Sequence, residues 1–140
     1  MKHLVKFTLA FCILAAGSAW AQETNRIRPE EWPAYGRDKA NTKYSPLDQI
    51  RAGNVKSLRI AWRWHSADGP ILQSHPEIRT SHFECTPIMV DGVLYASISL
   101  SEVAAISPKT GNTLWLYEPG AYLGPTPPNE GFINRGVAYW

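Results

Sequence analysis

The chain has 140 residues, 44% of them hydrophobic and 19% charged, a composition that excludes a disordered or collagen-like polymer. Its 11 Pro and 10 Gly fall between short apolar runs with no triplet period, which points to many turns and short elements instead of long helices. Lys plus Arg number 14 against 12 Asp plus Glu, but Lys2 and Lys6 lie in a leader, so the remainder is balanced, has no basic stripe, and gives no electrostatic reason to bind nucleic acid or anionic lipid.

Met1 to Ala21 begins with Lys2, His3 and Lys6, continues through an apolar run from Phe7 to Ala16, and ends in Ala19-Trp20-Ala21. A cationic start, a short apolar stretch and a small-residue ending are the marks of a secretory signal peptide. A membrane anchor needs about 20 consecutive apolar residues, roughly twice what is present. Cleavage after Ala21 removes Cys12 and leaves Cys85 as a single thiol, so no internal disulfide is expected.

Residues 22–57 form an N-terminal extension. Ser45-Pro46-Leu47-Asp48 has the Ser-x-x-acid spacing of a helix start with Pro in the first turn, predicting a short helix to about Arg51 that stops at Gly53. From residue 58 onward the pattern changes to strands. Leu58, Ile60, Trp62 and Trp64 share one side of a period-two segment with Arg59 and Arg63 opposite, which predicts a strand with one buried face.

Thr86 to Val90 and Val93 to Ile98 are joined by Asp91-Gly92, a strong two-residue hairpin signal. Val103 to Ile106 and Thr113 to Tyr117 follow, separated by Ser107-Pro108-Lys109-Thr110-Gly111. Four short antiparallel strands are predicted, several apolar on both faces. Such a sheet needs a neighbour on each side, as one blade of a β-propeller has. The run Ala105 to Trp115, with a turn glycine four residues before a tryptophan, has the spacing of a blade motif. At about 45 residues per blade the roughly 120 residues after Ala21 make fewer than three blades, too few to close a ring of about four to eight. Arg135-Gly136-Val137-Ala138-Tyr139-Trp140 reads as the opening of a further strand, so the chain is expected to be an N-terminal fragment.

Trp32-Pro33-Ala34-Tyr35-Gly36-Arg37-Asp38, Lys43 through Ile50, Asn54-Val55 through Ala61-Trp62, Thr86-Pro87 with Val90 through Tyr95, and Arg135 through Trp140 together closely resemble the start of the quinoprotein alcohol and glucose dehydrogenases. The likeness runs from about Glu31 to Trp140. It implies an all-β fold, part of an eight-bladed propeller that is incomplete here, with residues 58–140 forming the first strands and first blade. It implies a periplasmic enzyme that binds pyrroloquinoline quinone (PQQ) and Ca2+, oxidises an alcohol or sugar, and passes electrons to a respiratory cytochrome or quinone. The family motif Ala-x-Asp-x-x-Thr-Gly-x-x-x-Trp is matched from Ala105 to Trp115 except for Ser107 in place of Asp.

By the same resemblance, Glu84 and Arg135 correspond to residues that line the cofactor pocket. PQQ is a tricarboxylate, which an arginine fork matches bidentately, and a carboxylate can accept from a ring N–H or share a proton or water. Without the resemblance, Arg135 reads as half of a surface ion pair and Glu84 as a solvated strand end. Family calcium ligands and the catalytic aspartate are expected beyond Trp140, so no catalytic or metal-binding residue is assigned. Asn129-Glu130 stands where some members carry adjacent cysteines, which points away from the methanol type. His75, Glu77, His82, Glu84 and Cys85 raise a transition-metal site, but their spacing fits no standard pattern. The tryptophans read as packing between blades, and residues 119–128 as an interblade loop. A non-enzymatic exported propeller is the alternative to the oxidoreductase.

Overall fold

The computed structural model describes residues 27–80, 82–128 and 131–140. The leader Met1 to Ala21 and the pair Asn129-Glu130 lie outside the described residues. Four strands, β1 (Ile88–Val90), β2 (Val93–Ser97), β3 (Val103–Ile106) and β4 (Thr113–Tyr117), form one antiparallel sheet in the order β1-β2-β3-β4. The β1-β2 turn takes left-handed backbone at both Asp91 (φ 49) and Gly92 (φ 75). That is the mirror-image turn whose twist suits a hairpin. A bulge between Ala105 and Ile106 shifts the β3-β4 register.

Two predicted strands are shorter than expected at the same end of the sheet. Thr86 leaves β1 to bridge in parallel to Gly136, and Ile98 leaves β2 to close the β2-β3 turn, donating its N–H to the Glu102 carbonyl at 3.0 Å. On the far edge, Trp32 pairs with Met89 through two backbone hydrogen bonds of 2.9 Å. The adjoining Glu31 is buried, and its carboxylate accepts from the Asp91 and Gly92 amides and from Arg28, so the extension is clamped onto the β1-β2 hairpin.

The register sorts the side chains. Ala96, Ala104 and Ile106 pack on one face with Leu94 and Leu116, under the rings of Trp62 and Trp64 and the side chain of Cys85. The other face presents Ile88, Tyr95, Val103, Trp115 and Tyr117, which with Val137, Ala138 and Tyr139 line an open apolar groove of about 400 Å³.

Two elements differ from the sequence expectations, and one was missed. Residues 45–51 do not form a helix. The Ser45 hydroxyl accepts from the Leu47 amide, while Asn54 takes the Arg51 amide and the Gln49 carbonyl, and Arg51 takes the Asp48 carbonyl. Side chains thus occupy the backbone groups that a first helical turn would have used. The segment Leu58 to Trp64 joins no strand ladder, and Leu58 and Ile60 are exposed. Its alternation is real at Trp62 and Trp64, which seal the sheet, but a strand needs a neighbour for its ladder and none lies beside it among the described residues. Between this segment and the sheet, Asp68–Ser74 forms a short helix, α1, with Asp68 in its first turn, where a carboxylate complements the helix dipole.

Candidate functional site

Antiparallel order sends the start of β1, the β2-β3 turn and the end of β4 to one end of the sheet, opposite the Asp91-Gly92 and Ser107–Asn112 turns. The sequence-derived site residues meet at that end. Arg135 donates through Nε to Glu84 Oε2 at 3.1 Å, across 51 positions of sequence. Both side chains are open to solvent, at 74% and 51% exposure. That bears on stability, because ion pairs of such exposure contribute about 0–1 kcal/mol. The pair contributes little to the fold.

The backbone that carries Arg135 is held more firmly than its side chain. Residues 132–136 run as a strap across the end of the sheet. The fully buried Ser97 donates its hydroxyl to the Asn134 carbonyl at 2.8 Å, Ser101 donates to the Phe132 carbonyl at 3.3 Å, and the Thr86 amide donates to the Arg135 carbonyl at 3.1 Å. Phe132 anchors the strap in the interior at 5% exposure, and the Asn134 side chain accepts from the Gly136 amide. The guanidinium is therefore presented from an ordered backbone, with its terminal nitrogens unpaired among the described residues. A guanidinium with free terminal nitrogens can donate two parallel hydrogen bonds to a planar carboxylate.

The other residues singled out by sequence separate. Cys85 is a free thiol whose side chain packs against the Ala96, Ala104 and Ile106 cluster, away from Glu84. His75 caps the C-terminus of α1, pairs with Glu77 at 3.1 Å and makes a tilted ring contact with Tyr122 at 5.4 Å between centroids, while His82 is exposed. Trp62 and Trp64 serve packing and also hydrogen-bond, to the Pro108 carbonyl at 2.8 Å and the Thr113 hydroxyl at 2.9 Å. Within the predicted loop 119–128, Ala121–Leu123 makes one turn of 3-10 helix.

Sequence reasoning missed a group of acids at the same end of the sheet. Glu102, the residue just before β3, has 0% exposure, and neither of its carboxylate oxygens has a hydrogen-bond partner among the described residues. Burial raises its pKa to about 7, helped by the negative charges of Glu118 and Asp68. Asp68 is itself buried and accepts from the Ser99 hydroxyl in the β2-β3 turn, while Glu118 accepts from the Tyr122 hydroxyl at 2.8 Å and so raises the pKa of Tyr122. The β2-β3 turn that carries Glu102 is tied to α1 through Ser99 and Asp68, and no local pattern around Ser101-Glu102-Val103 announces the burial of Glu102.

The family described as "PQQ: Glucose/ethanol/alcohol dehydrogenase, beta-propeller domain" matches residues 32–140. A quinohemoprotein alcohol dehydrogenase of Comamonas testosteroni is 42% identical over 122 residues, covering 83% of this chain and 15% of that protein. A quinoprotein glucose dehydrogenase of Gluconobacter oxydans (strain 621H) is 34% identical over 120 residues, covering 84% of this chain and 14% of that protein. The crystal structure of the Comamonas testosteroni quinohemoprotein alcohol dehydrogenase superposes with a TM-score of 0.61 at 40% identity, over 84% of this chain and 16% of that one. The chain thus spans about 15% of the length of the curated relatives it matches. Its sheet, apolar on both faces and continued in parallel from Thr86 to Gly136, is a blade of a partial β-propeller, and the chain belongs to the PQQ glucose/ethanol/alcohol dehydrogenase β-propeller family.

Proposed function

We propose that this chain is the N-terminal part of a periplasmic PQQ-dependent dehydrogenase that oxidises an alcohol or aldose, and that Glu84 and Arg135 help to hold the cofactor. The observation that carries the reading is the meeting of these two side chains at one end of the blade, 3.1 Å apart, solvent-accessible and on ordered backbone. Arg135 is suited to grip a carboxylate of PQQ through its terminal nitrogens while Nε stays on Glu84, so that the acid fixes the plane of the guanidinium. Glu84 keeps a second oxygen with which to accept from a ring N–H or a shared water. Bound PQQ supplies the two-electron sink for substrate hydride. The relatives named above, as quinoprotein and quinohemoprotein dehydrogenases of alcohol and glucose, support the reaction class.

Export to the periplasm is supported by the pattern of Met1 to Ala21. Calcium and the catalytic base are assigned to residues beyond Trp140. The electron acceptor is proposed to be a respiratory cytochrome or quinone. These 140 residues alone are expected to show no dye-linked turnover.

The test is reconstitution of the complete gene product with PQQ and Ca2+, followed by dye-linked oxidation of glucose and simple alcohols. Because the Arg135–Glu84 pair contributes little to stability, Arg135→Ala should leave the melting temperature within about 2 °C and weaken PQQ binding by about a hundredfold, the scale of a lost charge-assisted contact. Absence of PQQ uptake by the unmodified protein would favour a non-enzymatic propeller and overturn the proposal.

A further inference from the structure

Among the described residues, Glu102 is the buried acid without a partner. A carboxylate without solvent or a partner is costly to bury charged, yet both of its oxygens are enclosed and unpaired among the described residues. The ionisable groups that face it add to the cost. Asp68 acts on it from α1 and Glu118 from the chain after β4, with the Tyr122 hydroxyl on Glu118 and the His75 ring in tilted contact with Tyr122 one layer further out. The cation of the neighbouring strap, Arg135, is turned to Glu84. No cation is paired with Glu102, and no trio of metal-ligating side chains is gathered among the described residues. A proton is the neutraliser available, and it converts Glu102 into a neutral side chain that an interior tolerates.

The place of Glu102 gives that proton a consequence. The β2-β3 turn is closed by the Ile98 amide on the Glu102 carbonyl, and it includes Leu100 at 0% exposure and Ser101 with φ of 63°. This turn and its flank supply both hydroxyls that fasten the strap, Ser97 to Asn134 and Ser101 to Phe132. We propose that Glu102 is a positioning residue for Arg135: its neutral carboxyl lets the β2-β3 turn stay buried, and the buried turn holds the strap that presents the guanidinium. Ionised Glu102 must seek water, which lifts the turn and loosens Ser97 and Ser101 from the strap.

The effect on the cofactor rests on the role proposed above for Arg135; the effect on the strap does not. A carboxyl whose pKa is raised on folding binds more protons folded than unfolded, so stability is greatest below about 4.5 and falls as pH rises to about 7. Ionisation of the folded protein, and with it release of the strap, is centred near the upper value.

Two measurements on the complete gene product separate the claims. Hydrogen exchange of the peptide spanning residues 132–137, without PQQ and corrected for intrinsic rates, should lose about tenfold in protection between pH 6 and pH 8. In Glu102→Gln, which is neutral at every pH and of equal size, protection should change less than twofold; Glu102→Leu serves if the Gln variant fails to fold. PQQ affinity should fall by about the same factor over the same interval in the wild type and stay level in the variant. Flat wild-type exchange, or an equal loss in wild type and variant, would overturn the inference, as would pH-independent PQQ affinity. Failure of wild type and variant alike to take up PQQ at any pH would overturn the cofactor reading alone, with the exchange result still deciding on Glu102.

Discussion

The two faces of the sheet are both apolar, yet they are in different states. On one, Ala96, Ala104 and Ile106 are almost inaccessible, because Trp62 and Trp64 lie across them and fix their indole N–H groups on Pro108 and Thr113. On the other, Trp115 and Tyr117 are 48% and 59% exposed, and a groove of about 400 Å³ separates them from Val137, Ala138 and Tyr139. The sealed face owes its cover to a segment earlier in the chain, and the open face meets a single following segment. Both faces are apolar, and on the second Ile88 and Ala105 are themselves buried, at 2% and 0%, so its exposure is concentrated on β4. What differs is whether a neighbouring layer is present, and this is why a blade behaves as a repeat unit that cannot bury itself.

The contrast is broken most severely at Trp62. Its ring covers the sealed face and seats directly on Gly111, where an added Cβ would stand 2.7 Å from ring carbons. Trp62→Ala removes the ring and leaves the Pro108 carbonyl without its donor. A loss of about 3 kcal/mol is expected, at the low end for a large aromatic because Trp62 is only partly buried. The measurement is native-state exchange at the Ser107 and Gly111 amides, which are bonded within the adjoining turn at 2.8 Å. Their protection should fall by about a hundredfold. Trp115→Ala on the open face should cost about 1 kcal/mol or less in this chain, losing chiefly the 5.8 Å contact with Tyr95. Equal effects would mean that the faces do not differ as described.

The same comparison explains how much could be read from sequence. The hairpins were legible because their determinants are local: Asp91-Gly92 and Gly111 place left-handed backbone in turns within a few residues of the strands they join. The meeting of Glu84 with Arg135 spans 51 positions and had no local cue; the two were singled out only by family resemblance. Leu58 to Trp64 shows the limit from the other side. Its alternation correctly marked Trp62 and Trp64 as inward-facing, but a ladder depends on a partner that alternation does not reveal. Residues 45–51 failed because Ser45, Arg51 and Asn54 form side-chain bonds that compete with a helix, a balance that capping patterns do not decide. Glu102 was invisible because its environment is assembled from α1, the β2-β3 turn and the chain after β4.

A smaller perturbation sharpens the picture by separating backbone strain from packing. Gly92 and Gly111 have nearly the same left-handed φ, 75° and 74°, and both sit in turns at the same end of the sheet. A Cβ on Gly92 meets nothing within 4 Å, whereas on Gly111 it meets the Trp62 ring. Gly92→Ala should therefore cost about 1 kcal/mol, the strain of a left-handed alanine alone. Gly111→Ala carries the same strain and must also displace the indole, raising the cost to about 2–3 kcal/mol. In the double variant Gly111→Ala with Trp62→Ala the clash has no partner, so the added cost of the alanine should fall back to the Gly92 value, measured as the coupling in a double-mutant cycle. A coupling near zero would show that Trp62 does not rest on Gly111, and the sealed face would then need another explanation for its burial.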